Sequence, residues 1–146
     1  MTTEWYELET GRHQDHIIAH VLGATALGYF EFDEAAHVLL DIGFFWAIFT
    51  DGEMALVLQS LAVKEFELDD EARAELLADI QLLHAGVRDE GKLSRMTLAP
   101  AGSLIKEVEI YAHDERRRIL IKCEEVNLAV DTSLRTGEVH VRSVSE

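Results

Sequence analysis

The sequence predicts a single α+β domain, in which about four helices in residues 10–87 pack on a four-stranded antiparallel β-meander in residues 104–144. Apolar residues recur at helical spacing in the first part of the chain and alternate with polar residues in the last part. Between these parts, residues 88–103 form a connector that contains the only proline of the chain, Pro100. A chain of 146 residues is long enough to bury one core, so we expect one domain over residues 1–146.

The first predicted helix begins after Thr10, a suitable N-cap residue, and ends near Gly28. It has apolar residues on one side and small residues on the other, a pattern typical of helices that are buried on both faces. The apolar stripe consists of Ile17, Val21 and Ala24, and the small-residue face consists of Ala19, Gly23 and Ala26. Because small residues allow a second backbone to approach closely, we expect either a central helix of the domain or a helix that packs in a homodimer through this face.

The most apolar stretch of the chain, Asp33–Phe66, fits either two helices or a β-hairpin. Its apolar residues recur at helical spacing, and its second half contains the helix formers Met, Ala and Leu. The competing signal is Asp51-Gly52, which lies between two apolar runs and is typical of a type I′ hairpin turn. We favour two helices, over residues 34–49 and 53–66, and the hairpin is the alternative.

The next predicted helix begins at Leu68–Glu71 and ends at Gly86. Acidic residues in its first turn interact favourably with the helix dipole, and glycine commonly follows the last turn of a helix. Its apolar stripe consists of Ala72, Leu76, Ile80, Leu83 and Val87. In the connector that follows, a short strand is expected at Met96–Leu98.

From Leu104 onward, apolar residues recur with a period of two, which predicts strands. In the first hairpin, pairing Ile110 with Ile119 places Glu107 opposite Lys122. This register matches both apolar residues and charges across the two strands. The third and fourth strands follow around Val126, Leu128 and Val130 and around Val139 and Val141. The resulting meander has one apolar side, which the helical half would cover.

The chain is strongly acidic, with 28 acidic and 13 basic side chains and a formal net charge of −15. Such a surface repels phosphate backbones and anionic lipids, so we expect neither nucleic acid nor membrane as a partner. The N-terminus lacks the pattern of a signal peptide, and the single cysteine, Cys123, cannot form a disulfide within the chain. These features predict a cytoplasmic protein.

Histidines and carboxylates recur with the same spacing on two neighbouring predicted helices. Residues at i, i+3 and i+7 lie on one helical face, so two antiparallel helices would bring two such triplets together. Imidazoles and carboxylates bind transition metals, and Glu-x-x-His motifs on facing helices hold the ions of di-metal bundles. The candidate ligands are His13, His16 and His20 in the first triplet and Glu34, His37 and Asp41 in the second. The sequence thus allows a site for zinc, iron or manganese, and the alternative is that both triplets are solvated helix edges.

Motifs for nucleophilic or phosphate-binding enzymes are absent from the sequence. No serine lies in a Gly-x-Ser-x-Gly elbow, and the glycines do not form a phosphate-binding loop. Cys123 falls on the inward face of a predicted strand, where an inert thiol is expected. The only basic run, Arg116–Arg118, is interpreted as a solvated hairpin tip, with an anion site as the alternative. We therefore predict no catalytic or cofactor-binding residues.

The leading functional hypothesis is a non-catalytic protein-interaction or self-association module that acts as a homodimer. The first alternative is a metal-binding protein or metalloenzyme that uses the His and carboxylate triplets. The second is a domain that binds a small apolar ligand between the helices and the sheet. The residues that would line this pocket are Phe30, Phe32, Phe44, Phe45, Trp46 and Phe49.

Overall fold

The computed structural model describes residues 5–9, 12–32, 34–42, 44–51, 53–60 and 69–144. Across these residues the chain forms two α-helices and two five-stranded antiparallel sheets. The predicted α+β fold, a helical half on a four-stranded meander, is therefore wrong. Residues 35–40, 44–49 and 53–60, which were expected to be helical, are strands.

The elements follow one another along the chain with two helices among the strands. The first part contains β1 (Tyr6–Leu8), α1 (Arg12–Val21), β2 (Ala26–Phe32), β3 (Ala35–Leu40), β4 (Phe44–Asp51) and β5 (Glu53–Ser60). The second part contains α2 (Asp70–His84), a 3₁₀ turn (Glu90–Lys92), β6 (Thr97–Leu98), β7 (Ile105–His113), β8 (Arg116–Cys123), β9 (Asn127–Ser133) and β10 (Val139–Val144). Sheet I has the order β1-β7-β8-β9-β10, and sheet II has the order β5-β4-β3-β2-β6.

Sheet II replaces the two helices that were predicted over residues 34–49 and 53–66. The hairpin alternative is confirmed, because β4 and β5 pair from Asp51 opposite Glu53 to Phe44 opposite Ser60. Strand β3 is buried at all six positions, since one of its faces packs towards sheet I and the other towards α2. A strand that is buried on both faces has a continuous apolar run without alternation, so its period does not distinguish it from a buried helix.

The first helix is also shorter than predicted, because α1 ends at Val21 instead of near Gly28. Gly23 adopts a φ of 85°, a left-handed conformation that glycine accepts and that commonly follows a helix end. Ala26 is the first residue of β2 and is fully buried, whereas Ala19 and Gly23 are exposed. The predicted small-residue face therefore does not exist on one helix, which removes the basis for the predicted homodimer interface.

Other predicted elements are confirmed. Helix α2 begins after Asp69, whose carboxylate accepts a hydrogen bond from the Ala72 amide at 2.7 Å. Strands β7 and β8 pair with Ile110 opposite Ile119 and Glu107 opposite Lys122, as the charge and apolar pattern indicates. Sheet I has an additional edge strand, β1, which pairs with β7.

The two sheets enclose the larger core, and α2 covers the other side of sheet II. Sheet I contributes apolar residues of β7–β10 to this core, and sheet II contributes apolar residues of β2–β4. On the other side, α2 approaches β2 so closely that a Cβ on Gly28 would lie 2.7 Å from Leu83 Cδ1. Neither helix of the described ranges is long and apolar enough to cross a membrane.

Candidate functional site

Two of the predicted metal ligands lie side by side on α1. His16 and His20 are both exposed, and their ring centroids are 4.7 Å apart. The Nδ1 atom of His20 lies 2.8 Å from the carbonyl oxygen of His16. His13 belongs to the same helix, but its side chain lies outside the described residues.

The second predicted triplet does not share one face, because β3 is a strand and not a helix. Glu34 precedes β3 and Asp41 follows it, so the six extended residues of β3 keep the two positions roughly 20 Å apart. His37 lies within β3, is 5% exposed and stacks on Phe30 with ring centroids 4.9 Å apart. Asp41 accepts a hydrogen bond from the Thr25 amide at 3.0 Å.

The six candidates thus do not form one cluster. No group of three or more His, Cys, Asp or Glu side chains suited to a metal ion occurs among the described side chains. Of the candidates whose side chains the structure describes, only His16 and His20 lie together. Metal binding by the protein stays a prediction.

The predicted aromatic ligand pocket is also divided by the sheet. Trp46 packs in the core between the sheets, whereas its neighbour Phe45 packs under α2, and both are fully buried. Phe30 and Phe32 line a cavity of about 220 Å³ beside Leu76 of α2. This volume is below the roughly 300–1,000 Å³ of most small-molecule pockets, so ligand binding there also stays a prediction.

The outer face of sheet I, which points away from the core, presents an ordered set of polar and apolar side chains. The helices pack elsewhere, α1 beside β5 and α2 on β2. The strand register arranges the side chains of this face in rows across β7, β8, β9 and β10. The central row is Glu109, Leu120, Ala129 and Arg142, and the neighbouring row is Tyr111, Arg118, Asp131 and His140.

Charged side chains on this face are held by ion pairs within the sheet. The Asp131 carboxylate accepts hydrogen bonds from Arg118 Nε at 2.6 Å and from Arg142 Nε at 3.2 Å. One carboxylate thus pairs with two neighbouring guanidinium groups. Lys122 Nζ lies 3.0 Å from Glu109 Oε1. These pairs fix the positions of long side chains that would otherwise lose considerable rotamer entropy on binding.

The pKa values of this face follow from those contacts. Burial acts to raise the pKa of Glu109, but hydrogen bonds from Lys122 and Tyr111 outweigh it and hold that pKa below its ordinary value. The hydrogen bond to Glu109 and partial burial raise the pKa of Tyr111. Glu109 is therefore an anion at neutral pH, and Tyr111 is a neutral hydrogen-bond donor.

A shallow cavity of about 300 Å³ opens in the middle of the face. Leu120 and Ala129 lie next to each other on it, and Ala129 is fully buried despite its outward orientation. Tyr111, Arg118, Arg142 and Val144 also line the cavity. Trp5 lies at the end of the face, where the Arg118 guanidinium is 4.3 Å from its ring centroid. The arrangement combines an apolar floor with fixed charges at both sides.

The only cysteine, Cys123, lies on the other face of β8 and packs against the core between the sheets. Burial raises the pKa of the Cys123 thiol to about 11, so the thiol is protonated at neutral pH. The nucleophilic form of cysteine is the thiolate, and the protonated group is a poor nucleophile. This agrees with the interpretation of Cys123 as an inert thiol.

The sequence pattern placed Glu107 opposite Lys122 but did not predict the rows of side chains across this face. Arg118 was interpreted as part of a hairpin tip, whereas it lies inside β8 and pairs with Asp131 of β9. The signal was present in the alternation of Arg118, Leu120 and Lys122 with the buried Ile119 and Ile121.

Comparison of the chain with models of protein families, with curated proteins and with solved structures found no match.

Proposed function

We propose that the protein is a non-catalytic self-association module that forms a homodimer through the outer face of sheet I. The observation that supports this proposal is the self-complementary order of side chains across that face. In the central row, Glu109 lies on β7 and Arg142 on β10, with Leu120 and Ala129 between them. A face of this kind fits a second copy of itself.

The symmetry of such a contact follows from the strand order. In a face-to-face dimer the two-fold axis lies in the interface, and closed dimers of this kind use the same patch on both subunits. An axis parallel to the strands, between β8 and β9, exchanges the β7 side of one copy with the β10 side of the other. In the central row, Glu109 then faces Arg142 of the second copy, and Leu120 faces Ala129 of the second copy.

The apolar contact at the centre provides most of the expected free energy. Ala129 is already covered within its own copy, so the Leu120 side chain of the second copy enters the cavity of about 300 Å³ above it, beside Tyr111 and Val144. Full burial of one leucine side chain contributes about 1.5–3 kcal/mol, and the symmetry supplies this contact twice.

The surrounding charges favour one register of the two copies. In the neighbouring row, Arg118 faces Asp131 of the second copy, so each carboxylate lies among guanidinium groups from both subunits. The copies already hold these charges in ion pairs, and little further ordering is needed on association. Opposite charges across an interface contribute mainly to specificity and register.

The size of the sheet limits the affinity. Five strands spaced by about 4.8 Å, with about six residues each, give a face of roughly 24 by 20 Å. This area of about 480 Å² per partner is below the roughly 600–1,000 Å² of standard specific interfaces and falls among weak, transient contacts. We therefore expect a dimer of moderate, micromolar affinity.

The test is the oligomeric state of a Leu120→Lys variant in sedimentation velocity over a concentration series. Leu120→Lys places a charge in the apolar cavity of the second copy and is expected to give a monomer. Leu77→Lys is the matched control, because Leu77 is 42% exposed on α2, away from sheet I, and its variant should dimerise like the parent. A parent chain that is monomeric at high micromolar concentration, or a Leu120→Lys variant with unchanged dimer content, would contradict the proposal.

A further inference from the structure

We propose that His16 and His20 chelate one divalent transition-metal ion on the exposed side of α1. The inference is independent of the dimer, because the two histidines lie on a helix beside sheet II and not on the outer face of sheet I. The ions expected are those that prefer imidazole nitrogen, such as zinc, nickel and copper.

The spacing of the two rings fits one shared ion. His16 and His20 are four residues apart in a helix, so their side chains lie one above the other on the same face. Imidazole nitrogen binds zinc at about 2.0–2.1 Å, which places each ring centroid about 3.2 Å from the ion. If the nitrogen–metal–nitrogen angle lies between a right angle and the tetrahedral angle, the two ring centroids are about 4.5–5.2 Å apart. The observed separation of 4.7 Å lies within this interval.

The hydrogen bond of His20 leaves its Nε2 atom available to bind a metal ion. The Nδ1 atom of His20 lies 2.8 Å from the backbone carbonyl oxygen of His16. A carbonyl oxygen only accepts hydrogen bonds, so Nδ1 carries the proton and Nε2 carries the lone pair. Metal-binding histidines in proteins almost always donate their second nitrogen to a carbonyl or carboxylate in this way. The backbone of α1 therefore orients His20 before an ion arrives.

The surroundings allow an ion to enter and to keep further ligands. Both rings are exposed, and the net charge of −15 attracts cations to the protein surface. The described side chains supply no third ligand at this place, so water completes the coordination sphere. A two-histidine site of this kind is open on its outer side.

The experiment is isothermal titration of the purified, untagged full chain with Zn²⁺ and Cu²⁺ alone. One ion per chain is expected, and His16→Ala and His20→Ala should each weaken binding by about tenfold or more, because a chelate becomes a single contact. His84→Ala is the matched control, since His84 is exposed in the last turn of α2. Electron paramagnetic resonance of the copper complex should show two imidazole nitrogens in the parent and one in His20→Ala.

The outcomes separate the pair from other histidines. Equal affinity of the parent, His16→Ala and His20→Ala overturns the proposal, as does an equal loss of affinity in His84→Ala. A His13→Ala variant tests the preceding turn of α1. If His13→Ala, His16→Ala and His20→Ala all lower the metal affinity, His13 is a third ligand of the site. If His13→Ala lowers the affinity and His20→Ala does not, the proposed pair is overturned. Thermal unfolding of each variant confirms that the exposed substitutions leave the fold unchanged.

Discussion

Asp79 holds the loop between α2 and β6 in place through a fully buried carboxylate. Its side chain is 1% exposed and accepts hydrogen bonds from the amides of Ser94, Arg95 and Met96 at 2.7–2.9 Å. Three backbone amides donate to this one group, and the buried amide of Met96 would otherwise lack an acceptor. The position lies in the apolar stripe of α2, between Leu76 and Ile80, where a sequence pattern alone predicts an apolar residue.

Asp79→Ala should therefore lower the free energy of unfolding by about 3 kcal/mol or more, because an unsatisfied buried donor costs about 1–3 kcal/mol. For a chain of this size that corresponds to a decrease in Tm of about 6–12 °C. The free energy of unfolding of Asp79→Asn, which keeps one acceptor oxygen, should lie between those of the parent and of Asp79→Ala. Urea unfolding followed by circular dichroism measures the effect. Asp70→Ala is the control, since Asp70 is fully exposed in the first turn of the same helix, and equal stabilities of the two alanine variants would contradict the role of Asp79.

At the scale of elements, two neighbouring residues show why the core stretch was predicted as helices. Phe45 and Trp46 are both fully buried, one under α2 and the other between the sheets. In a strand with one exposed face, one of two neighbouring residues would be polar, and the alternation of polar and apolar residues would be visible in the sequence. Here both faces of β4 need apolar residues, so the only remaining signal was the Asp51-Gly52 turn.

The opposite case is β7, where the register was predicted correctly. Val108 and Ile110 face the core, and Glu109 lies on the outer face, so the alternation is complete. Because one face of the hairpin is polar, its register also determines which charges pair, and this register places Glu107 opposite Lys122. The rows of the candidate surface beyond β8 were not predicted, because they depend on how β9 and β10 are placed beside β8. The second metal triplet was proposed for a helix, and the strand β3 separates its members.

Reversing a charge pair tests the proposed strand arrangement in the dimer. Glu109→Arg places a guanidinium group opposite that of Arg142 of the second copy, and the two-fold axis repeats this contact. Because like charges repel, about tenfold weaker association is expected. Glu109→Arg combined with Arg142→Glu restores opposite charges in the same positions and should recover most of the affinity. Sedimentation equilibrium measures both variants. A single variant that associates like the parent, or a double variant no better than the single, would contradict the two-fold axis between β8 and β9.

For the whole molecule, net charge and contact geometry act in opposite directions. Two copies with a formal net charge of −15 repel each other at long range, whereas the proposed contact pairs opposite charges at short range. Sheet I is formed largely by the last part of the chain, and residues 1–73 contain 15 acidic but only three basic side chains. The outer face of sheet I thus lies on the less acidic part of the protein, where a second copy approaches with the least repulsion.

The balance predicts that moderate salt strengthens the dimer. The screening length is about 30 Å near 10 mM salt and about 8 Å near 150 mM, so added salt removes the repulsion between whole copies before it affects contacts within about 4 Å. The burial of Leu120 in the cavity of the second copy does not depend on ionic strength in this range. Sedimentation velocity at these two salt concentrations should therefore show a higher dimer fraction at the higher one. If the dimer instead dissociates as salt is added, ion pairs and not the apolar contact hold it, and Leu120 would lose its central role in the interface.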